Sequence, residues 1–448
     1  MRHERDSGSG RRAAFPLLTA RPDWHTFLTD RIREGLQERG KLAVKVVGVV
    51  AEYNPFHAGH AHHLSEAKRR SGAEYAVAIM SGAVTQRGTF ARHDLSLRAE
   101  MALKGGADAV FLLPARFSCA PAPDFARGGV SLLAATGVVT HLSFGCEKEA
   151  LPLLLPLSRL LAEEPPAFTA ALRRNLDTGC SFPKSRALAC EEALGLPGLS
   201  KRMESPNLTL ALEYLRALPE GIVPVPVGRS GAEYTEAELT APDAGFSSAL
   251  AIRRALSEWQ QDTMEGEAAL RAALPCADLV FAAEEAGAVH EEEALTPVLL
   301  YLLRMADRRN LSQICGMEEG LEARFLEAAR QAGTREELLS LVKTKRYTHA
   351  RLSRAATNVL LDVTKEFAAA NPSPSYLRLL GFREAARPLM HEIRRRASLP
   401  IIAKCADYKA SDPLFALDSR ARDLWALGAK NPAERAAGAD FLQRPVVG

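Results

Sequence analysis

Hydrophobic residues in the first third of the chain form short continuous runs, at 46–53, 75–81, 107–114 and 138–145. Segments of helical length lie between these runs, at 60–71, about 92–105 and 124–136. Continuous apolar runs are typical of strands buried on both faces, and their alternation with helices predicts a parallel sheet with crossover helices. The pattern therefore favours an α/β fold with a Rossmann-like parallel sheet.

Each apolar run is followed by polar residues, glycine or proline, in the texts "EYNPFHAGH", "SGAVTQRG", "LPARFS" and "SFGCE". The carboxyl ends of parallel strands meet at one edge of a sheet, and ligands of open α/β sheets bind beyond that edge. We therefore expect all four texts to converge on one cleft.

The pattern changes along the chain in a way that suggests three parts. Residues 1–44 are Arg-rich and read as a poorly ordered extension, with a basic RNA-binding arm as the alternative. Residues 45–255 contain the strand–helix alternation and form the predicted Rossmann-like domain. Beyond residue 255 almost every segment has helical periodicity, so residues 256–448 are predicted to form a mostly helical C-terminal domain.

Composition adds little about partners but limits the compartment. The formal net charge of +3 is too close to zero to indicate a nucleic-acid partner, so any such surface must be local. Seven cysteines occur without a C-x-x-C pair, which fits a reducing cytoplasm. No apolar stretch approaches the roughly 20 residues of a membrane span. We expect a cytoplasmic protein with no membrane partner.

The stretch "EYNPFHAGHAHH", from Glu52 to His63, follows the first predicted strand. His57 and His60 lie on either side of Gly59, where the first helix is expected to begin. Free N–H groups at a helix start attract anions, and two imidazoles can donate hydrogen bonds to phosphate oxygens. The alternatives are a zinc site of His57, His60 and His63, or a surface cluster without function, and His62 alone is expected to face solvent.

Longer stretches of the chain resemble the bacterial tRNA(Met) cytidine acetate ligase family, whose nucleotide site is similar to that of HIGH-type nucleotidyltransferases. The similar stretches follow one another in order through about residues 45–405: "VGVVAEYNPFHAGHAHHL", "SGAVTQRG", "MALKGGADAVFLLP", "DFARGGVSLL", "LSFGCE", "SPNLTLALEYLRAL", "KTKRYTHARLSR", "YLRLLGF" and "LPII".

The resemblance implies an ATP-dependent ligase for RNA modification. Such an enzyme activates acetate as acetyl-adenylate and transfers the acetyl group to the exocyclic amine of the wobble cytidine of elongator tRNA(Met), giving N4-acetylcytidine. ATP would be the cofactor, accompanied by Mg²⁺, and tRNA and acetate would be the partners, with no obligate protein partner evident. A nucleotidyltransferase that adenylates a small phosphorylated metabolite and a non-catalytic tRNA- or nucleotide-binding relative remain open as alternatives.

The resemblance also implies site residues. His57 and His60 would be catalytic, and the ATP site would comprise Val50, Ala51, Glu52, Tyr53, Asn54, Pro55, Phe56, His57, Ala58, Gly59, His60, Ala61, His62, His63, Gly145, Asn207 and Arg229. From the residues alone, Gly145 could equally be a turn glycine, Asn207 a helix N-cap and Arg229 part of a surface ion pair. Arg87 could bind phosphate or the acetate carboxylate, or support its loop through Asp94.

A second group of residues is expected to bind RNA. The text "KTKRYTHARLSR" at 343–354 joins basic side chains to an aromatic ring, which suits phosphate contacts and base stacking. The predicted RNA-binding residues are Lys345, Arg346, Tyr347, Arg351 and Arg354. The alternative is a solvated helix face, and 383–396 is a weaker basic face of the same kind.

Several positions depart from the family pattern. Leu95 stands where the family usually has lysine, and Leu250 where it usually has threonine. Thr235 and Glu236 replace a histidine and an aspartate. The histidine loop is intact, so we expect nucleotide binding, whereas loss of hydroxyl or charged groups at these positions would weaken phosphate contacts and turnover.

Overall fold

A computed structural model describes residues 44–228, 238–239, 245–259, 264–408 and 411–448. Its strands form one sheet in the order β5-β4-β1-β2-β3-β6-β7, with β8 beside β6. The strands are β1 (Val46–Ala51), β2 (Tyr75–Ser81), β3 (Ala109–Leu113), β4 (His141–Cys146), β5 (Val223–Gly228), β6 (Leu377–Phe382), β7 (Ile401–Ile402) and β8 (Val446–Val447). The predicted extension at 1–44 lies outside the described residues, apart from Val44.

The helices surround this sheet and then extend beyond it. They are α1 (Ala58–Ser71), α2 (Leu95–Lys104), α3 (Ala115–Ser118), α4 (Ala122–Ala135), α5 (Leu154–Glu163), α6 (Pro166–Asp177), α7 (Phe182–Leu194), α8 (Leu199–Arg202), α9 (Pro206–Ala217), α10 (Ala249–Glu258), α11 (Met264–Ala273), α12 (Ala277–Glu285), α13 (Thr296–Met305), α14 (Arg308–Leu311), α15 (Leu321–Gln331), α16 (Arg335–Val342), α17 (His349–Leu361), α18 (Lys365–Ala370), α19 (Arg387–Arg396), α20 (Pro413–Leu427) and α21 (Ala439–Leu442). Among the helices of the described ranges, none is long and apolar enough to cross a membrane.

The centre of the sheet is parallel, as the sequence predicts. Strands β1 to β5 pair in parallel, and β1 lies between β2 and β4. Strand β5, for which the apolar pattern gave no prediction, contains Pro224 and Pro226. It lies at the edge of the sheet. There, one side of the strand pairs with no neighbour, so a proline without an N–H group costs no hydrogen bond on that side.

Strands β6, β7 and β8 come from the range 256–448, which the sequence analysis assigned to a helical domain. Strand β6 pairs antiparallel with β3, so this part of the range belongs to the sheet. The helices between residues 295 and 360 instead form an apolar core of their own, around Leu299, Phe325 and Leu352. We call this unit, residues 295–361, the helical subdomain.

A buried ionic network joins the C-terminal helices to the first half of the sheet. Arg422 donates to Asp94 at 3.0 Å and to Asp440 at 2.7 Å, and Arg378 also pairs with Asp440 at 2.7 Å. Asp418 accepts from the Ala115 N–H and from the Tyr376 hydroxyl. Burial raises the pKa of Asp418 to about 7, against the opposing effect of these two hydrogen bonds.

Replacement of Asp418 by Asn should change how stability depends on pH. The folded-state pKa of about 7 lies above the ordinary value of 3.8. Between these two pH values the folded protein therefore keeps a proton on Asp418 that the unfolded chain has released. The stability from this group is present at low pH and is lost as pH rises through about 7. Urea unfolding at about pH 5 and about pH 8 should show wild type losing on the order of 1–4 kcal/mol more than Asp418→Asn. Equal losses would contradict the assignment.

Candidate functional site

The histidine loop lies at the carboxyl end of β1 and leads into α1, as predicted. The helix begins at Ala58, with His57 as its N-cap. His57 Nδ1 accepts from the Gly59 N–H at 3.1 Å, and His60 Nδ1 accepts from the His57 N–H at 3.3 Å. The two imidazoles thus form a reciprocal capping box, in the place that serine and glutamate usually take.

This capping fixes which ring nitrogen carries the proton. Because both Nδ1 atoms accept from backbone N–H groups, the neutral imidazoles of His57 and His60 carry their protons on Nε2. The ring centroids lie 3.8 Å apart, so the two rings are held together. Each ring can therefore donate from Nε2 to an anion while its other nitrogen holds the helix start.

Side chains from distant segments hold the loop before the helix. Asn54 Oδ1 accepts from the Arg92 N–H at 2.9 Å, and the Asn54 carbonyl accepts from Arg253 at 2.6 Å. Phe56 is fully buried against Gly105, where a Cβ would lie 2.2 Å from the ring. The loop conformation thus depends on an arginine from α10 and on a glycine at the end of α2.

Arg98 on α2 is a fully buried cation beneath the cleft. Its guanidinium donates to the carbonyls of Glu52 at 2.8 Å and Ser81 at 3.0 Å, and also to those of Gly82 and His93. Burial lowers the pKa of Arg98 to about 10, while Asp94 and Glu52 oppose that shift. One side chain therefore satisfies the carbonyls that project where β1 and β2 end.

These elements enclose a cleft of about 220 Å³ at the carboxyl edge of the sheet. Three of the four texts expected to converge there line it, but "LPARFS" does not: its Ala115 and Arg116 line a separate cavity, so that part of the prediction is wrong. The predicted residues on the cleft wall are Val50, Ala51, Glu52, Tyr53, Asn54, His57, Gly59, His60, His62, His63, Arg87, Gly145 and Asn207, and Gln86 lies beside Arg87. Pro55, Phe56, Ala58 and Ala61 belong to the same loop and helix but are not among the described wall residues. Arg229 lies outside the described residues.

The cleft also contains residues that the sequence analysis did not single out. Its apolar wall comes from Phe125, Phe144, Leu210, Tyr214 and Val227. In the sequence these residues follow ordinary helix or strand periodicity, as any core residue does, so nothing identified them as cleft residues. Gly228, Phe246 and Ser247 complete this side, with Ser248, Ala249 and Arg253 from the start of α10.

Two of the predicted residues are held by partners from neighbouring elements. His63 Nε2 lies 3.0 Å from Ser143 Oγ, which donates to the Val225 carbonyl, so His63 ties α1 to β4 and β5. Asn207 donates to Glu147 at 2.7 Å. Ser205, rather than Asn207, caps α9, so the N-cap alternative for Asn207 is wrong. His62 is exposed, as expected, and its ring lies 5.1 Å from that of Phe246.

The loop that carries Gln86 and Arg87 rests on the helical subdomain. The Gly88 carbonyl accepts from Arg335, Ser353 and Thr357, at 2.6 to 2.8 Å. Gly88 has a φ of 77°, and a Cβ there would lie 2.3 Å from the backbone nitrogen of Arg354. The helical subdomain thus touches the backbone of a loop that lines the cleft.

The predicted RNA-binding residues differ in their surroundings. Lys345 and Arg346 are exposed, and Arg346 pairs with Glu319 at 3.3 Å. Arg351 lies over the Tyr347 ring and pairs with Glu318 at 3.3 Å. Tyr347 is 6% exposed in the core of the helical subdomain, so its predicted role as a stacking platform for an RNA base is wrong. Arg354 is partly buried and donates to the Gln86 carbonyl at 3.0 Å.

The two described departures from the family pattern lie off the cleft wall. Leu95 is buried at the start of α2, in the apolar layer between that helix and the sheet. Leu250 is 37% exposed, whereas its neighbours Ser248 and Ala249 line the cleft. Asp94, the alternative partner considered for Arg87, caps α2 and pairs with Arg422. Thr235 and Glu236 lie outside the described residues.

Among the described residues, no group of three His, Cys, Asp or Glu side chains is placed to bind a metal ion. Glu52 is the one carboxylate among the described residues that line the cleft, and it accepts from the Gln86 N–H at 2.7 Å. A Mg²⁺ ion in this cleft would therefore be coordinated mainly by oxygen atoms of the nucleotide that it accompanies.

The family model described as HIGH Nucleotidyl Transferase matches residues 44–440. Fold and histidine site together thus define a HIGH-type nucleotidyltransferase. The chain is 36% identical to the tRNA(Met) cytidine acetate ligase of Caldanaerobacter subterraneus subsp. tengcongensis, over 87% of this chain and 96% of that protein. It is 34% identical to that of Acetivibrio thermocellus, over 90% of this chain and 100% of the relative. The chain belongs to the tRNA(Met) cytidine acetate ligase family.

Solved structures agree with this assignment. The crystal structure of Thermotoga maritima TmcAL bound with alpha-thio ATP has a TM-score of 0.81 and 32% identity, and covers 90% of this chain and 99% of the other. The apo structure of the same protein has a TM-score of 0.82 and 33% identity, with the same coverage. The predicted fold class and family are therefore confirmed.

If the His57 ring donates to phosphate oxygens as the sequence analysis predicts, His57→Ala should reduce acetate-dependent ATP–pyrophosphate exchange by about 100-fold or more. The matched control is Asp307→Ala, which removes the N-cap side chain of α14, a helix that contributes no residue to the cleft wall. That variant should lose about 1 kcal/mol of stability and keep its exchange rate. Equal exchange in the two variants would contradict the role of the His57 ring.

Gly88→Ala should detach the loop from the helical subdomain, because a Cβ has no room there. We expect a loss of about 1–3 kcal/mol in urea unfolding, together with weaker ATP binding by calorimetry. Gly179→Ala is the control: its φ of 81° is similar, but a Cβ there has nothing within 4 Å. If both variants lost the same stability, backbone strain alone would explain the effect.

Proposed function

We propose that this protein is an ATP-dependent ligase that acetylates the wobble cytidine of elongator tRNA(Met), giving N4-acetylcytidine. The observation that carries the proposal is the histidine capping box, which places the His57 and His60 rings and a helix N-terminus at the wall of one cleft at the end of β1. The family to which the chain belongs supplies the reaction type and the RNA substrate.

In the first step, a carboxylate oxygen of acetate attacks the α-phosphorus of ATP. The new bond is the mixed anhydride of acetyl-adenylate, and the bond that breaks releases pyrophosphate. Acetate is already ionised near neutral pH, so this attack needs no general base. His57 and His60 donate hydrogen bonds to phosphate oxygens as negative charge grows on them, and the start of α1 adds its dipole.

The remaining wall residues orient the nucleotide. Gly145 lies near the end of β4, where bare backbone lets a ribose or base approach closely. The Asn207 amide also lines the cleft and can both donate and accept. Arg229 is proposed to bind phosphate on the strength of the resemblance, and Arg87 is proposed to bind phosphate or the acetate carboxylate. Mg²⁺ would enter with ATP and supply charge neutralisation of the triphosphate.

In the second step, the exocyclic amine of cytidine attacks the acetyl carbonyl. The C–N amide bond forms, the C–O bond to AMP breaks, AMP leaves with the electron pair, and the amine loses one proton. Enclosure of both reactants in one cleft supplies most of the rate enhancement. The helical subdomain would bind the tRNA through Lys345, Arg346, Arg351 and Arg354. Because tRNA is a cytoplasmic substrate, the enzyme would act in the cytoplasm.

The direct test is transfer of radiolabelled acetate to purified tRNA. We expect label in tRNA(Met) that depends on ATP, is absent from RNA-free reactions, and falls by about 100-fold or more with His57→Ala. Digestion of the RNA should place the label on cytidine. Consumption of ATP without label in RNA would reject acetate or this acceptor, and tRNA binding without ATP turnover would identify a non-catalytic member of the family.

A further inference from the structure

A second cavity, of about 450 Å³, lies between the sheet and the helical subdomain. Its walls come from the segment 115–124, from the start of α7, and from residues 315–368 of the helical region. The volume falls in the range of sites for small ligands or single nucleotides. We call it the arginine cavity, after the four arginines on its wall: Arg116, Arg346, Arg351 and Arg354.

The cavity has a positive electrostatic character. The wall carries four arginines and two carboxylates, Asp124 and Glu318, and Glu319 pairs with Arg346 beside it. Arg354 instead donates to the uncharged Gln86 carbonyl. Burial lowers the pKa of Arg354, and the charges of Arg351 and Arg87 lower it further. The positive charge that remains favours an anionic ligand.

Three long helices begin at the wall of the cavity. Their N-cap residues, Pro121 of α4, Ser181 of α7 and Thr348 of α17, all line it. Pro121 and Ser181 make no side-chain capping hydrogen bond, so the first N–H groups of α4 and α7 need other acceptors. Phosphate oxygens suit such helix starts.

Arg116 brings a largely buried cation to the same wall. Its side chain is 10% exposed and pairs with Asp124 at 3.1 Å, and it also donates to the Ala368 carbonyl at 3.4 Å. Asp124 is shared with Arg127, so its single charge does not neutralise both arginines. The charge that remains on Arg116 favours a phosphate at this wall.

An aromatic ring stands at the cavity wall without a full apolar environment. Phe182, the first residue of α7, is 55% exposed. Single-stranded RNA is recognised by exposed rings on which unpaired bases stack, combined with arginines that contact the phosphates. Tyr347 cannot take this role, because it is buried.

The cavity is also next to the nucleotide cleft. Arg354, on the cavity wall, donates to the carbonyl of Gln86, and Gln86 lines the cleft. One layer of protein therefore separates the two spaces. A nucleotide held in the cavity would belong to a strand that continues towards the acetyl-adenylate.

We propose that the arginine cavity binds one unpaired nucleotide of the tRNA anticodon loop, with its base on Phe182 and its phosphate at Arg116 and the helix starts. This inference rests on the proposed function for the identity of the RNA, and it adds the place where the loop is held. It assigns Phe182 and Arg116, which the sequence analysis did not single out, to substrate binding.

Binding of the anticodon stem-loop, measured by fluorescence anisotropy, tests the proposal without any turnover. We expect Phe182→Ala and Phe182→Leu to raise Kd by about 10-fold, and Phe182→Trp to keep it near wild type, because only an aromatic face stacks on a base. Arg116→Gln should reduce the slope of log Kd against log salt by about 0.7, the value for one phosphate contact on a single strand.

Matched controls come from exposed residues of the helical subdomain that are absent from the cavity wall. Tyr301→Ala removes an aromatic ring that is 63% exposed, and Arg330→Gln removes an arginine that is 75% exposed. Neither should alter the affinity or the salt slope. Wild-type affinity in Phe182→Ala, or an equal loss in Phe182→Leu and Phe182→Trp, would overturn the proposal.

Acetate-dependent ATP–pyrophosphate exchange separates this proposal from the proposed function. That half-reaction contains no RNA. In both Phe182→Ala and Arg116→Gln, kcat/KM for tRNA acetylation should therefore fall by a larger factor than the rate of pyrophosphate exchange. Parallel losses in the two assays would overturn the proposal, since they indicate a structural role. If wild type made no acetylated RNA but Phe182→Ala still weakened stem-loop binding, the proposed function would fall and the cavity would stand.

Discussion

The buried guanidinium of Arg98 is the contact on which the nucleotide cleft depends. It reaches the carbonyls of Glu52, Ser81 and Gly82, where two adjacent strands end and their chains diverge. A cation in this position is costly to bury, and its four carbonyl partners compensate for the lost water. Without it, those carbonyls would be unsatisfied beneath the site. The histidine loop and the loop at Gln86 thus share one supporting side chain, which lies buried beneath the cleft.

Much of this architecture could be predicted from the sequence, because the signals are local. Strands β1 to β4 are continuous apolar runs, and the histidine loop follows the first of them. Strand β5 was missed because its two prolines oppose strand formation everywhere except at an edge. Strand β6 was missed as part of the sheet because its partner, β3, lies far away in sequence. Tyr347 was misjudged because basic neighbours suggested exposure, whereas a tertiary contact buries its ring.

The cleft and the helical subdomain are parts of one mechanical unit. Three donors from α16 and α17 converge on the Gly88 carbonyl, two residues beyond Gln86. The subdomain is also inserted between elements of the sheet, since β5 precedes it and β6 follows it. A unit fixed at both chain ends and at a loop has little freedom to move independently. This suits a reaction in which a large RNA must present one amine to a small activated acid.

The ionic network around Arg422 has a consequence for how the chain folds during synthesis. Asp94 and Arg422 are separated by 328 residues, so the carboxylate leaves the ribosome long before its partner exists. Strand β3 likewise has no neighbour on one side until its antiparallel partner β6 has been synthesised. Pairings of such long sequence separation form late and slowly. The nascent sheet therefore carries an unpaired edge until β6 has been synthesised, and such an edge is prone to aggregation.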